Sequence, residues 1–184
     1  LYFNEPDHAG HVYGANSKEV NQQIQAADSI LGYLLNSLKN LEIYDQINLV
    51  IVSDHGMVDV SEERLINLDD YLNTKHFIVD GKGPIVNIRY KNKTNHLNQE
   101  LKIPNLTYYT SNNVPDDYNF SLYDLSDVIF VADQNWMIYT NKDVTEKGLT
   151  VKGMHGYDPD PMEMHGIFYA YGPSFKNNYS INTF

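Results

Sequence analysis

The sequence predicts an α/β fold, and three features indicate it. The apolar run Leu49–Val52 is rich in β-branched residues and bounded by polar ones, which is typical of a fully buried parallel strand. Before it, apolar residues over 20–41 are spaced alternately four and three apart, which predicts an amphipathic helix of about six turns. After it, short strand patterns between residues 77 and 140 predict a small α+β insertion on the main sheet.

Composition bounds the class of protein. The 184 residues suffice for one domain with a sizeable core, and 42% hydrophobic residues is the content of a globular chain. The formal charge of −11 argues against a broad nucleic-acid surface, so we expect no nucleic-acid duplex as a partner. A small phosphate substrate stays possible, because bound divalent cations reverse the local charge. Cysteine is absent, so any metal must be held by histidines and carboxylates. No apolar run has the length of a membrane helix, and we expect no transmembrane segment in this chain.

Residues 4–14, NEPDHAGHVYG, are predicted to form a loop, because one proline and two glycines interrupt regular structure. Asp7 and His11 stand four residues apart in it. If the loop coils, both side chains can converge on one ion while His8, between them, points elsewhere. The structural alternative is a polar loop with a capping aspartate.

The helix is predicted to begin after Ser17, with Glu19 in its first turn favourable to the helix dipole. Its apolar stripe is expected to cover a sheet, although the heptad spacing also suits a coiled coil. Asp54 and His55 then follow the Leu49–Val52 strand directly. The carboxyl ends of strands are where open α/β sheets place ligands, and this pair offers one oxygen and one nitrogen ligand.

The middle segment is predicted to contain two antiparallel strand pairs. The first flanks Asp80 and Gly81 as a hairpin, and the short link 132–134 suggests a second. Aromatic residues here are expected in core or cross-strand packing, a ligand groove being the alternative. These aromatic residues are Tyr108, Tyr109, Tyr118, Tyr123 and Trp136, and the histidines His76 and His96 are predicted to be surface residues. Strands are predicted over 77–79, 85–88, 106–110, 128–133 and 136–140, and a short helix over 96–101.

Near the C-terminus, His155 lies between Gly153 and Gly156. Flanking glycines leave it sterically open to reach a metal, the alternative being a solvated histidine of a glycine-rich loop. A strand is predicted over 167–171. His165, just before it, is expected to be a polar residue at the strand entry.

Three stretches together resemble the signatures of the nucleotide pyrophosphatase/phosphodiesterase family of the alkaline phosphatase superfamily. Residues 5–14, EPDHAGHVYG, resemble the family's PD-x-x-GH-x-YG motif, and residues 53–57 resemble its SDHGM motif. Residues 154–158, followed by 164–175, are similar to its HGYD segment and the strand ending in GPxFK. The stretches occur in the family's order, and the resemblance covers essentially the whole chain.

The resemblance implies an alkaline-phosphatase-like three-layer α/β/α core, incomplete here, with the α+β insertion at about 77–140. It also implies two zinc ions. One would be held by Asp7, His11 and His155 and the other by Asp54 and His55. In the family the second zinc also takes an aspartate and a threonine that acts as nucleophile, and neither can be placed in this sequence.

We therefore expect residues 1–184 to be the C-terminal portion of a type I phosphodiesterase/nucleotide pyrophosphatase catalytic domain, nearly inert by itself. The chain begins in an apparent strand without an initiator methionine and stops without a polar tail. This favours a fragment of a longer protein, although a domain trimmed of disordered termini would look similar. Family membership implies export to the periplasm, cell surface or medium.

The resemblance implies zinc-dependent hydrolysis of phosphodiester or pyrophosphate bonds in a nucleotide-type substrate. An Asp/His/His set leaves a fourth zinc position open, and two zincs about 4 Å apart can clamp the attacking and leaving oxygens of an in-line displacement. The alternatives are another superfamily hydrolase (phosphomonoesterase, sulfatase or phosphonate hydrolase) or a non-catalytic metal-binding member. The chain departs from the family at Ala15, where proline often follows YG, and at Pro159, where asparagine is usual. Its lack of cysteine is more like a bacterial relative than the disulfide-rich animal ectoenzymes.

Overall fold

The computed structural model describes residues 1–92, 97, 101–110, 112–115, 126–143 and 151–183. Within these residues the longer helices are α1 (Asp7–Tyr13) and α2 (Lys18–Lys39), beside several helical segments of about one turn. The strands are β1 (Leu49–Val52), β2 (Val58–Asp59), β3 (Leu65–Asn67), β4 (Phe77–Asp80), β5 (Ile85–Tyr90), β6 (Leu106–Thr110), β7 (Val128–Ala132), β8 (Met137–Tyr139), β9 (Gly153–Met154) and β10 (Phe168–Tyr171). Among them, no helix is both long and apolar enough to cross a bilayer.

The strands form one larger sheet and three pairs. The larger sheet has the order β4-β5-β7-β6 and is antiparallel throughout. The pairs are β1 with β10, antiparallel, β2 with β9, antiparallel, and β3 with β8, parallel. This mixture of helices and sheets confirms the α/β class that the sequence predicts.

The four-stranded sheet supplies a large part of the hydrophobic core of the described residues. Val86, Ile88, Val128 and Phe130 are fully buried in it. The predicted β4–β5 hairpin is confirmed, and its turn contains Gly81, whose φ is 95°. Burial of such side chains contributes about 1.5–3 kcal/mol each relative to exposure, so this sheet stabilises the chain.

Aromatic residues of the middle segment pack against this core, as expected. Tyr108 meets Phe130 edge-to-face with ring centroids 6.1 Å apart, and Trp136 packs on the same core. Tyr109 packs against a smaller buried cluster on the sheet's other side. Some predictions fall outside the described residues. These concern Tyr118, Tyr123, His96 and the helix over 96–101, of which only Leu97 and Leu101 are described.

The predicted antiparallel pairing of the strands over 128–133 and 136–140 is wrong. These strands are β7 and β8, and β8 instead pairs in parallel with β3. Both edges of β7 are already occupied by β5 and β6, so β7 has no edge left for β8. Asn135, at φ 71°, lies in the link that turns the chain towards the other sheet.

Strand β1 also differs from its prediction as a fully buried parallel strand. It pairs antiparallel with β10, and Val50 and Val52 are 47% and 63% exposed. The apolar composition of a short run predicts strand formation but does not determine its direction or which of its faces is covered.

Helix α2 begins as predicted, since the Ser17 hydroxyl accepts a hydrogen bond from the Val20 N–H at 3.1 Å. The expectation that it covers a sheet is not met. Its main packing partner is α1, and Val20 is its only buried residue. Ile24 and Ile30 are about half exposed, at 49% and 50%.

Candidate metal centre

Residues 4–14 do not form the predicted loop, because Asp7–Tyr13 is the helix α1. Pro6 precedes its first turn, where a proline ring is tolerated. Gly10 lies inside the helix, and an added Cβ there would collide with the Met57 sulfur. This glycine therefore permits a close approach of the helix to Met57 rather than breaking the chain.

The helix explains why Asp7 and His11 converge, because residues four apart share one helix face. Asp7 Oδ1 lies 3.5 Å from Nε2 of His11, 3.5 Å from Nε2 of His155 and 4.0 Å from Nε2 of His55. Although 45% of the Asp7 side chain is exposed, this oxygen is buried and has no hydrogen-bond partner. Three imidazole nitrogens from distant parts of the chain thus surround one buried carboxylate oxygen.

Backbone pairing assembles the segments that carry these side chains. Strands β2 and β9 form a ladder in which Val58 opposes Met154, and His155 follows β9. Helix α1 contacts the same strand, since the Lys152 N–H donates to the His11 carbonyl at 2.8 Å. An added Cβ at Gly153 would collide with the carbonyl of Gly10. Glycine at position 153 therefore lets β9 approach α1 closely.

Two of the histidines are oriented by backbone carbonyls. His11 Nδ1 lies 2.8 Å from the Gly153 oxygen, and His55 Nδ1 lies 2.8 Å from the Gly56 oxygen. A carbonyl can only accept, so each hydrogen bond requires a proton on Nδ1, and in the neutral ring Nε2 is then the nitrogen that can bind a metal ion. This is the usual support of a metal-binding histidine.

The surroundings of His155 favour its neutral form. Its ring stacks on that of His55 with centroids 3.5 Å apart and lies 5.0 Å from that of His11. Burial and the neighbouring His55 lower the pKa of His155 below its ordinary value, against the opposing charge of Asp7. A neutral imidazole is the form that binds a metal ion.

Asp54 lies at the rim of this group. Its Oδ1 is 3.5 Å from His55 Nε2, and 77% of its side chain is exposed. All five predicted ligands, which we call the ligand cluster (Asp7, His11, Asp54, His55 and His155), therefore lie together. His55 is near both aspartates, and the division of the five side chains between two ions stays a prediction. The tightest group is Asp7, His55 and His155, whose ligand atoms all lie within 4.8 Å of one another.

Three further histidines with described positions, His8, His76 and His165, do not belong to the cluster, and His8, next to Asp7, is exposed. His76 is exposed, as predicted. His165 has its Nε2 3.2 Å from the Asp160 carbonyl, just before β10. An open cavity of about 510 Å³ also lies elsewhere and contains no member of the cluster. Its Asp69 carboxylate already accepts the Asn141 N–H at 2.7 Å and contacts the Thr74 hydroxyl.

Sequence reasoning missed the groups that hold the cluster in place. Met57, the Gly10 and Gly153 contact positions and the two carbonyl oxygens have supporting roles that no local pattern reveals. Glu5 is another such residue, since its carboxylate accepts the Ala9 N–H at 3.0 Å and caps α1. The only sequence signal for these contacts was the glycines themselves, and the sequence pattern suggests such glycines only as interruptions of regular secondary structure.

Known proteins resemble this chain over nearly its whole length. The family model described as type I phosphodiesterase / nucleotide pyrophosphatase matches residues 1–158. Human ectonucleotide pyrophosphatase/phosphodiesterase family member 5 is 38% identical over 184 residues, which cover 98% of this chain and 38% of that protein. Human bis(5'-adenosyl)-triphosphatase ENPP4 is 32% identical over 187 residues, which cover 100% of this chain and 40% of that protein.

Solved structures show the same relation. Human ENPP5 matches with a TM-score of 0.85 and 36% identity over 98% of this chain and 48% of that one. An inactive Thr-to-Ala variant of murine ENPP5, solved in complex with AMP, matches with a TM-score of 0.85 and 35% identity over 97% of this chain and 48% of that one. The chain thus spans less than half of the length of these relatives.

Proposed function

This chain belongs to the type I phosphodiesterase / nucleotide pyrophosphatase family, and from that premise we propose that the complete protein hydrolyses nucleotide phosphodiester or pyrophosphate bonds with two zinc ions. We assign residues 1–184 to the C-terminal portion of the catalytic domain. One observation carries the proposal: three histidine Nε2 atoms lie within 4.0 Å of the buried, unpartnered Oδ1 of Asp7.

The donor set fits a divalent cation. A buried carboxylate oxygen without a hydrogen bond is costly, and a bound cation is the simplest partner that removes this cost. Imidazole nitrogen and carboxylate oxygen are ligands that zinc prefers when cysteine is absent. The carbonyl contacts of His11 and His55 already hold the tautomer that such a cation needs.

We assign Asp7, His11 and His155 to one zinc and Asp54 and His55 to the other. When bound, the ions supply Lewis-acid stabilisation of charge on the phosphoryl oxygens and lower the pKa of the attacking hydroxyl. The residues of this chain hold the ligand nitrogen and oxygen atoms in position. Asp54 stays exposed at the rim of the cluster, where substrate can approach.

The nucleophile is proposed to be a threonine in the part of the protein that this chain does not span. The inactive Thr-to-Ala variant of murine ENPP5 supports this assignment, and its complex with AMP supports a nucleotide substrate. The name of human ENPP4, a bis(5'-adenosyl)-triphosphatase, supports the same substrate class. The ectonucleotide names of the relatives support an exported protein. We also propose that residues 77–140 are an insertion, since the four-stranded sheet draws all its strands from them.

The test uses the full-length protein and an aryl phosphodiester. We expect EDTA to abolish hydrolysis and added zinc to restore it. Replacing His155→Ala should remove activity, because it deletes one ligand, while the exposed control His76→Ala should leave it intact. Activity that survives complete metal removal would contradict the proposal.

Two other outcomes would favour the alternatives that the sequence leaves open. Faster hydrolysis of an aryl phosphomonoester than of the diester would indicate a monoesterase of the same superfamily. Stoichiometric zinc without turnover of either ester would indicate a non-catalytic metal-binding member.

A further inference from the structure

We propose that Asp59 is a positioning residue. By accepting hydrogen bonds from the turn after helix α1, it holds the helix, and with it the ligands Asp7 and His11, in place. The inference rests on the proposed metal centre. Asp59 is exposed, lies at the end of β2 and belongs to none of the sequence motifs. It acts on the centre through α1 rather than by contact with a bound ion.

Helix α1 depends on tertiary contacts for its position. It has seven residues, and helices shorter than about 12 residues are marginal in isolation. It also contains Gly10, a poor helix former, and Pro6 at its N-cap provides no side-chain cap. The contacts that α1 makes with other segments, including those at its ends, therefore determine where Asp7 and His11 point.

The Asp59 carboxylate accepts two hydrogen bonds from the turn at the C-terminal end of this helix. Asp59 Oδ1 accepts the Ala15 N–H at 2.6 Å, and Oδ2 accepts from Asn16 Nδ2 at 2.9 Å. Both donors follow directly after Gly14, the C-cap of α1. Hydrogen bonds to an ionised carboxylate are shorter and roughly twice as strong as neutral ones, so this double contact can fix the turn.

Asp59 is itself held by the segments that carry the other ligands. It opposes Gly153 in the β2–β9 ladder, two residues before His155. Its backbone carbonyl accepts from Asn135 Nδ2 at 2.7 Å. The strand that bears it follows shortly after His55 in the chain. Asp59 therefore connects α1 to the segments of His55 and His155, which must keep their spacing if the ligand atoms are to stay within reach of one ion.

The Ala15 donor exists because position 15 is not proline. Ala15 has a backbone N–H to donate, which a proline at this position would lack. Gly14 has ψ 152°, within the range that a following proline favours. A proline at position 15 would stiffen the turn through its fixed φ, and its ring would displace the Asp59 carboxylate from the place of the donated hydrogen. In this chain the Asp59 hydrogen bond supplies the restraint instead.

The test measures zinc affinity of the full-length protein by competition with a chelator, together with the visible absorption of the cobalt-substituted form. Asp59→Ala should weaken binding about tenfold, as supporting residues of metal sites do, and should change the cobalt spectrum. The matched control is Asp127→Ala, because Asp127 is also exposed and accepts a backbone N–H, that of Tyr90, at 2.6 Å in the four-stranded sheet. It should change neither property.

A double-mutant cycle tests the mechanism. In an Ala15→Pro background the Asp59→Ala replacement should weaken zinc binding less than about threefold, because proline has already restrained the turn and removed one of the two donors. Asp59→Asn, which keeps one acceptor oxygen, should fall between the parent and Asp59→Ala, and it carries the test if the alanine variant does not fold.

The outcomes separate this inference from the proposed function. A parent protein that binds no zinc refutes the proposed metal centre and the role of Asp59 with it. A parent that binds zinc and an Asp59→Ala variant with unchanged affinity and spectrum refute the positioning role alone. An equally large loss in the Ala15→Pro background also overturns it, since the effect would then not act through the turn.

Discussion

The four-stranded sheet and the ligand cluster are built in opposite ways. The sheet buries Val86, Ile88 and Phe130 completely, so its side chains contribute stability by leaving water. The cluster instead places Asp7 Oδ1 in a buried position without a hydrogen-bond partner and stacks two imidazoles at 3.5 Å. This geometry costs stability, and the proposed metal centre accounts for it, because a bound ion would offset the cost.

The difference shows how the chain divides its tasks. The strands of the sheet all come from residues 77–140, whereas the cluster takes its members from residues 7–11, 54–55 and 155. Replacements in the sheet should therefore change unfolding before they change metal binding, and replacements in the cluster should do the reverse.

The largest effect is expected from Phe130→Ala. Removing a fully buried phenyl ring should lower the free energy of unfolding by about 3–5 kcal/mol, through lost transfer energy and the cavity left behind. Ile78→Ala, on the same sheet but 39% exposed, should cost about 1 kcal/mol or less. Denaturant titration of the full-length protein measures both, and equal losses would show that this sheet is not the stabilising region.

Next in size is Asp7→Asn, which removes the charge around which the cluster gathers. We expect kcat/KM to fall at least about a hundredfold, because Lewis-acid stabilisation by the metal is worth several kcal/mol. Unfolding measured in EDTA should not become easier, since the lost carboxylate oxygen has no hydrogen bond to lose. A loss of stability as large as that of Phe130→Ala would contradict this division.

Alanine replacements of two helix glycines should change the free energy of unfolding by smaller amounts and in opposite directions. Gly10→Ala should cost about 1–3 kcal/mol by overpacking, because its Cβ collides with Met57, and should also weaken zinc binding by displacing α1. Gly32→Ala in α2 meets no atom within 4 Å and should stabilise by about 1 kcal/mol through helix propensity. Thermal unfolding and chelator competition measure both, and the same sign for the two variants would be unexpected.

The smallest effect is the pH dependence of the metal-free protein. The lowered pKa of His155 means that the unfolded chain takes up its proton at a higher pH than the folded one. Stability in EDTA should therefore be full above about pH 6.5, the ordinary value for histidine, and fall as the pH decreases towards the folded pKa. His155→Ala should flatten this slope and His76→Ala should not, as unfolding midpoints between about pH 5 and 8 can measure.

Local patterns in the sequence predicted a substantial part of the structure. Helix α2 starts at the predicted Ser17 cap, and the β4–β5 hairpin forms around Gly81, because capping and turn formation depend on a few adjacent residues. The five candidate ligands also came from the sequence, through motifs whose residue types suit zinc. Their side chains lie close together, while their role as ligands and their division between two ions stay predictions.

Other features depended on contacts between distant residues. The partner of β8 was decided by occupied edges on β7, which the short link between the two strands cannot reveal. Helix α1 looked like a loop because Gly10 serves a contact with Met57, far along the chain. The half-exposed faces of β1 depend on what covers them, which the composition of the run does not determine.

By itself the sequence determined the chemistry available: histidines and carboxylates in three separated segments, an acidic surface and no thiols. Only the tertiary structure decided how these groups meet and which nitrogen of His11 and His55 faces Asp7. It also decided that the Asp59 carboxylate accepts a hydrogen bond from the turn after α1. The physical reason is that residue types set which interactions are possible, whereas hydrogen bonds and close packing require atoms to be within a few ångströms, and for residues far apart in sequence only the fold brings them that close.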